Sequence, residues 1–305
     1  MVSIMRPCHR GTLDWYTQVL QVCTFEMCLM TGYGQTGPYA LRAGYDVMVE
    51  AEMGLMHITG EHDGPPVKVG VAITDLSTGL YTCNSILAAL LYRHKTGRGQ
   101  HIDACLSDVQ VASLANIASS ALIDSSSSPG RWGTAHASIV PYQGLRTNDG
   151  MIIIGAGNDR QFEILCNCIG RPELLNESKF RDNSSRLENR QELIDLLEME
   201  FEKESTGYWL DVFEGKGMPY AAVKYIPVFE SALMDSDVQA TLQHSQIKAR
   251  EIVKPIRHTT CGNIRVVGPP VKFSSSPPSI RSPPPVPHLD PSTKSRSWGN
   301  ILQRY

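Results

Sequence analysis

The stretch from Val67 to Leu106 constrains the fold most strongly. Val67 to Ile73 (VKVGVAI) is a short apolar run of strand type. A helical pattern follows from about Ser77 to His94, with Leu80, Ile86, Leu87, Leu90 and Leu91 apolar. Lys95-Thr96-Gly97-Arg98-Gly99-Gln100 ends it, because basic residues suit a helix C-terminus and glycine takes a left-handed cap. His101 to Leu106 then reads as a second strand. Strand, helix and strand in that order predict a unit of the doubly wound α/β class.

The rest of the chain divides around that unit. Residues 1–30 carry no clear pattern, and residues 31–125 hold glycine turns together with the unit just described. Ser125 to Ser128, followed by Pro129-Gly130, reads as a linker. Residues 132–273 predict a second, smaller α/β domain. Within it Met151 to Ala156 is a strand entered through the turn Asn148-Asp149-Gly150, and Asp159 to Ile169 is helical. Ser185 and Glu188 form a capping box for a helix running through Phe201. Ile252 to Val271 reads as strands around a tight turn at Cys261-Gly262-Asn263. Residues 274–305 are rich in Pro and Ser, the composition of an extended tail.

Charge and cysteine usage exclude several functions. Lys plus Arg number 28 against 31 Asp plus Glu, so the balance is −3 and offers no footprint for nucleic acid or an anionic membrane. No apolar run approaches the roughly 20 residues of a membrane span. The eight cysteines form no CxxC pair, which argues against a zinc knuckle and for thiols in a reducing compartment; no metal is expected. The N-terminus places Arg6 and Arg10 before its first acid, Asp14, but has neither a continuous apolar core nor a small-residue cleavage site. It is not a secretory signal, and as a mitochondrial presequence it is weak.

Four features carry chemistry. Asp75 opens the predicted helix, with small residues close behind. There it is either a helix cap or an ionised nucleophile, with backbone N–H groups at hand to steady an oxyanion. Gly32-Tyr33-Gly34-Gln35-Thr36-Gly37 matches GxGxxG, which reads as a structural glycine turn or as a dinucleotide fingerprint opening a nicotinamide-dependent enzyme. Arg42-Ala43-Gly44-Tyr45-Asp46 sets a cation, an aromatic ring and an acid before an apolar stretch; its plainer reading is a helix start with Asp46 in the first turn. Trp132-Gly133-Thr134-Ala135-His136 precedes Pro141-Tyr142-Gln143, and the absence of a GxSxG elbow discounts a serine hydrolase.

Taken in order, TGYGQTGP, RAGYD, GLMHITG with DGPP, TDLSTGLY, ILAALLYRHKTGRGQ, RWGTAHASIVPYQ and GAGNDRQF resemble the family III (CaiB/BaiF-type) coenzyme A transferases. SRLENRQELIDLL, GMPYAAVKYIPVFESALMDSDVQA, GPPVKFS and RSPPP are similar to the family's second half. The resemblance implies an incomplete Rossmann-like large domain with a smaller α/β domain beside it. It implies CoA as co-substrate, no metal, acyl-CoA and carboxylic acid as substrates, and a homodimer. It makes Asp75 the nucleophile, passing through aspartyl-anhydride and aspartyl-CoA thioester stages, with a succinyl donor and a glutarate-like or hydroxymethylglutarate-like acceptor.

The resemblance also implies that Arg42, Ala43, Gly44, Tyr45 and Asp46 lie beside CoA, and that Gly133, Thr134 and His136 belong to a loop over the acyl group. Tyr45 stands thirty positions before Asp75. The family's racemase branch has a histidine there, and Tyr is a poor base near neutral pH because its unperturbed pKa is about 10. The tyrosine therefore favours transfer over a 2-methylacyl-CoA racemase. Family members are longer, residues 1–30 do not resemble their N-terminal βα unit, and PSTKSRSWGNILQRY stands where a returning helix is expected. That leaves a second expectation, an inactive truncated variant acting as a binding fragment. The implied compartment is mitochondrial, or cytoplasmic if this N-terminus does not direct import.

Overall fold

The computed structural model describes residues 27–124, 130–223 and 238–283. The readings placed on residues 1–26, on the linker 125–129 and on the tail beyond 283 lie outside the described residues, as does the segment 224–237.

The parallel unit exists, with a different first strand. β1 (Met27–Thr31) pairs in parallel with β2 (His101–Cys105), in register from Met27 opposite His101 to Thr31 opposite Cys105. Between them lie α1 (Asp46–Glu52), α2 (Leu55–Ile58) and the crossover helix α3 (Ile73–Thr96). The expectation of a strand over Val67–Ile73 is thus corrected. Residues 67–71 are irregular, with Val67 and Val71 exposed, and Ile73 already begins α3. The Val69 N–H donates to the Glu50 side chain at 3.2 Å, not to a neighbouring strand. The strand partner of 101–105 is Met27–Thr31 instead, and all but Thr31 of it falls in the stretch 1–30 read as patternless.

α3 ends as its sequence dictates: Gly97 is left-handed (φ 72°), and Arg93, His94 and Lys95 occupy the last turn. Its buried face is not the leucine face. Thr74, Thr78, Thr82 and Ala89 point inward at helical spacing, whereas Leu80, Leu87 and Leu91 are exposed. Behind β2 the chain continues as α4 (Leu106–Ser113) and α5 (Ala115–Ile123). Tyr33, Val49 and Leu106 form a small core here, with Met53 against it.

The larger core belongs to residues 140–220. An antiparallel sheet in the order β3 (Tyr142–Arg146), β4 (Met151–Gly155), β5 (Tyr220–Val223) packs with α6 (Asp159–Cys168), α7 (Asn183–Glu188), α8 (Arg190–Phe201) and α9 (Thr206–Phe213). Leu145, Ile152 and Ile154 from the sheet meet Phe162, Leu165, Leu193, Leu197, Phe201 and Phe213 from the helices, all essentially inaccessible. The expected strand at 151–156 and helix at 159–169 are both found. The expected capping box is not: Asp182 caps α7 by accepting from the Ser185 N–H at 2.9 Å, and the helix breaks at Asn189 before α8. An Asp at the cap position with Ser three residues on does the work assigned to Ser185 and Glu188. Beyond α10 (Val238–Gln243) and α11 (Ser245–Ala249), β6 (Val253–His258) and β7 (Gly262–Val267) form the antiparallel hairpin expected around residues 261–263.

Candidate active site

Asp75 is the third residue of α3, after Ile73 and Thr74, and it is exposed to solvent. It is not the helix cap; Ala72 holds that position and makes no side-chain capping bond. The cap comes from a distant element. Asp46, first residue of α1, accepts the Thr74 N–H at 2.8 Å and the Asp75 N–H at 3.0 Å, both on Oδ1. The N-terminal N–H groups of a helix lack partners within it, so an outside carboxylate fills that need. This corrects one expectation: the Thr74 and Asp75 N–H groups are already engaged by Asp46 and are not standing donors for an oxyanion. Burial, and then the neighbouring Asp46 carboxylate, push the Asp75 carboxyl above the ordinary aspartate value.

Behind Asp46 sits Glu50, one helical turn further along α1 and completely buried. Its Oε2 accepts from the Val69 N–H, and burial, then the Asp46 carboxylate one turn before it, push its carboxyl above the ordinary glutamate value. Its Oε1 is buried and, among the described residues, accepts from no donor. Deeper still, Thr74 Oγ1 donates to the buried Gln110 Oε1 at 2.5 Å, pinning the start of α3 to α4. Gln110 was not singled out in the sequence, and Glu50 entered only, with Glu52, as an acid at the distance a dinucleotide fingerprint asks for. The i, i+4 spacing of Asp46 and Glu50 was the available signal.

The remaining residues of the RAGYD segment have mainly architectural contacts. Arg42 pairs with Glu52 at 2.7 Å and lies over the rings of Tyr39 (4.8 Å) and Tyr33 (5.3 Å). Tyr33 donates its hydroxyl to Glu52 at 2.6 Å. Gly44 backs directly onto Tyr33: a Cβ there would meet the ring at 2.7 Å, and one on Gly32 would meet the Gly44 Cα at 2.9 Å. The two glycines allow the GYG turn and the RAGYD loop to touch. No helix opens at Pro38, where residues 38–41 form turns, so the dinucleotide reading loses its frame. Tyr45, immediately before α1, leaves its ring largely exposed (72%) on the approach to Asp46.

The 133–136 loop docks on the segment after α2. Gly133, left-handed at φ 55°, donates its N–H to the Gly60 carbonyl at 3.0 Å, and Glu61 Oε2 lies 2.8 Å from where a Cβ would stand. Thr134 Oγ1 accepts the Gly144 N–H at 3.0 Å, and the His136 ring stacks on Tyr142. Among the described residues these bonds run to 60, 142 and 144, and none to Asp75.

The fold places the chain among known structures. A CaiB/BaiF family protein from Brucella suis superimposes with a TM-score of 0.70 at 36% identity, over 93% of this chain and 71% of that one. Rv3272 of Mycobacterium tuberculosis gives 0.75 at 23% identity, a likeness of fold alone. Residues 27–290 match the model of CoA-transferase family III, and the chain belongs to that family. Succinyl-CoA:glutarate CoA-transferases from mouse and human are each 45% identical to it over 259 residues, 85% of this chain. A succinate–glutarate CoA-transferase from Agrobacterium fabrum is 41% identical over 70% of the chain. The chain spans 56% of the length of the mouse and human relatives.

Proposed function

We propose that this chain moves CoA between a succinyl-CoA-like donor and a dicarboxylic acceptor such as glutarate, with Asp75 as the acyl carrier. The observation that carries the reading is an exposed carboxylate, less acidic than usual, on the first turn of a helix. A carboxylate whose solvation is reduced but not abolished is a competent nucleophile toward a thioester. The 45% identity to transferases named for succinyl-CoA and glutarate supports the substrate pair.

In the proposed sequence an Asp75 oxygen attacks the donor carbonyl carbon, the C–S bond breaks, and CoA leaves as a thiolate. The product is a mixed anhydride. The thiolate then attacks the Asp75 carbonyl carbon, releasing the donor acid and leaving an aspartyl-CoA thioester. The acceptor carboxylate displaces CoA to form a second anhydride. Attack of the thiolate on the acceptor's carbonyl carbon yields the new acyl-CoA and restores Asp75. No net proton is gained or lost, because one thioester replaces another. Tyr45 contacts the CoA or acyl portion beside Asp75, where the racemase branch has a histidine. Ala43 and Gly44 give the close backbone approach, Gly133, Thr134 and His136 line the acyl side, and Arg42 serves chiefly to hold Glu52.

The same reading includes a homodimer, supported by the exposed leucines of α3, and a mitochondrial compartment, supported by the resemblance. The test is incubation with succinyl-CoA followed by hydroxylamine. A hydroxamate on the Asp75 peptide is expected; an unmodified Asp75 peptide overturns the reading.

A further inference from the structure

Glu50 is a carboxyl group with zero exposure on a helix whose neighbours Val47 and Met48 face solvent. A buried charge without partners is strongly disfavoured, so a buried acid either pairs with a cation or keeps its proton. Glu50 has one N–H donor, from Val69, on Oε2. Among the described residues Oε1 receives none. Burial raises the Glu50 pKa most; the Asp46 carboxylate, one turn before it on α1, raises it further, and the Lys68 charge lowers it. Two carboxyl groups set one helical turn apart on the same helix, one of them fully buried, favour sharing one proton, since the doubly ionised pair repels. The proton belongs on the more buried partner, Glu50. Asp46 is committed as an acceptor, with Oδ1 already taking two backbone N–H groups. A Glu50 O–H pointed at Asp46 completes a charge-assisted bond and gives Oε1 the role no donor supplies.

We propose that Glu50 is a positioning residue for Asp75, donating its carboxyl proton to Asp46, which in turn caps the helix that presents Asp75. The chain of contacts runs from the Val69 backbone through Glu50 and Asp46 to the Thr74 and Asp75 amides. It ties the first turn of α3 to α1 at a fixed distance. A nucleophile loses rate steeply when its position relaxes by a fraction of an ångström, and this device removes that freedom. Glu50 itself touches no reacting atom. The inference rests on Asp75 being the acyl carrier, but its protonation half stands independently.

The test uses the full chain with Glu50→Gln and Glu50→Leu. At neutral pH, the infrared difference spectrum of wild type minus Glu50→Gln should show the carbonyl stretch of a protonated carboxylic acid. Its absence overturns the proposal whatever the activity. With succinyl-CoA, acyl-Asp75 formation at saturating donor should fall roughly tenfold to hundredfold in Glu50→Leu, the scale of losing a hydrogen bond to a charged group. The donor concentration for half-maximal rate should stay close to wild type. Glu50→Gln, whose amide donates to Asp46 and accepts from Val69, should restore most of that rate. Equal rates in Leu and wild type overturn the positioning role and leave Asp75 as carrier intact. Loss of rate in step with donor affinity, or an equal loss in Gln and Leu, also overturns it. If wild type forms no adduct, the transferase reading fails, and the infrared band alone decides the Glu50 assignment.

Discussion

One oxygen of Asp46 accepts the backbone amide of Asp75 at 3.0 Å, so the proposed nucleophile is held by an acid twenty-nine residues away in sequence. The two carboxyl groups also repel, and that repulsion is part of why Asp75 binds its proton more firmly than an ordinary aspartate. Asp46→Asn separates the two effects. The amide oxygen still accepts from Thr74 and Asp75, while the charge is gone. The Asp75 carboxyl should then fall toward its ordinary value, although burial keeps it somewhat raised. The acid limb of the Asp75 acylation rate should move to lower pH. A rate–pH profile with an unmoved acid limb contradicts the electrostatic assignment. Asp46→Ala removes the cap as well and should cost about 1 kcal/mol of stability.

Asp75→Asn should abolish acylation and, at neutral pH, raise the thermal unfolding temperature. The sign follows from linkage. A carboxyl whose folded pKa lies above its unfolded value binds more protons in the folded state within that window, so stability falls as pH rises through it. The penalty is fully present above the folded value. It vanishes well below the unperturbed aspartate value of about 3.9, where both states are protonated. Thermal scans of Asp75→Asn and wild type should therefore differ at pH 7 and converge in acid. An Asn variant less stable than wild type at pH 7 would count against a strained, functional carboxylate.

Much of this was legible from residues alone, and the failures share a cause. The turn at 148–150, the strand and helix after it, and the Gly97 stop of α3 are local signals, written within a few residues of where they act. The misassigned strand at Val67–Ile73 has the right composition, yet β-propensity only describes fitness for a paired, half-buried surface. What decided the outcome was a partner: Val69 gives its amide to Glu50, and MCLMT at 27–31 takes the place beside β2. The site shows the same division. Asp75 and Asp46 stood out by motif and family resemblance, but the bond between them, the burial of Glu50 and the Arg42–Glu52 pair are tertiary contacts with no sequence period.

Gly32 of the GYG turn and Gly44 of the RAGYD loop have a packing reason, and that separates them from a nucleotide loop. In Gly44→Ala the new methyl would meet the Tyr33 ring at 2.7 Å, and Tyr33 is itself buried against Val49 and Leu106. Overpacking of this kind costs about 1–3 kcal/mol. Chemical denaturation should show that loss with an unchanged slope. NAD added to wild type should leave its melting temperature where it was, whereas CoA should raise it by mass action. A melting temperature that rises with NAD instead would restore the dinucleotide reading.

The firmest stability prediction lies away from the site, at Arg186. Its guanidinium is wholly buried and spends its donors on the Val140 carbonyl (2.8 Å), the Phe180 carbonyl (3.0 Å) and Asp159 (2.7 Å), with its plane over Phe162. Asp159 is 66% exposed, so that ion pair contributes little beyond its hydrogen bond. The two buried carbonyls matter more, since each left without a donor costs about 1–3 kcal/mol. Lysine offers a single ammonium where a planar fork meets three acceptors in different directions, and so it should not rescue the site. With two such carbonyls at stake, Arg186→Leu and Arg186→Lys should each lose about 2–6 kcal/mol in urea unfolding. The residue lies in the core of the 140–220 region and makes none of the Asp75 contacts. The molecules that remain folded should therefore still take up the acyl group, and a Lys variant as stable as wild type would show that the fork geometry is not what holds Val140 and Phe180.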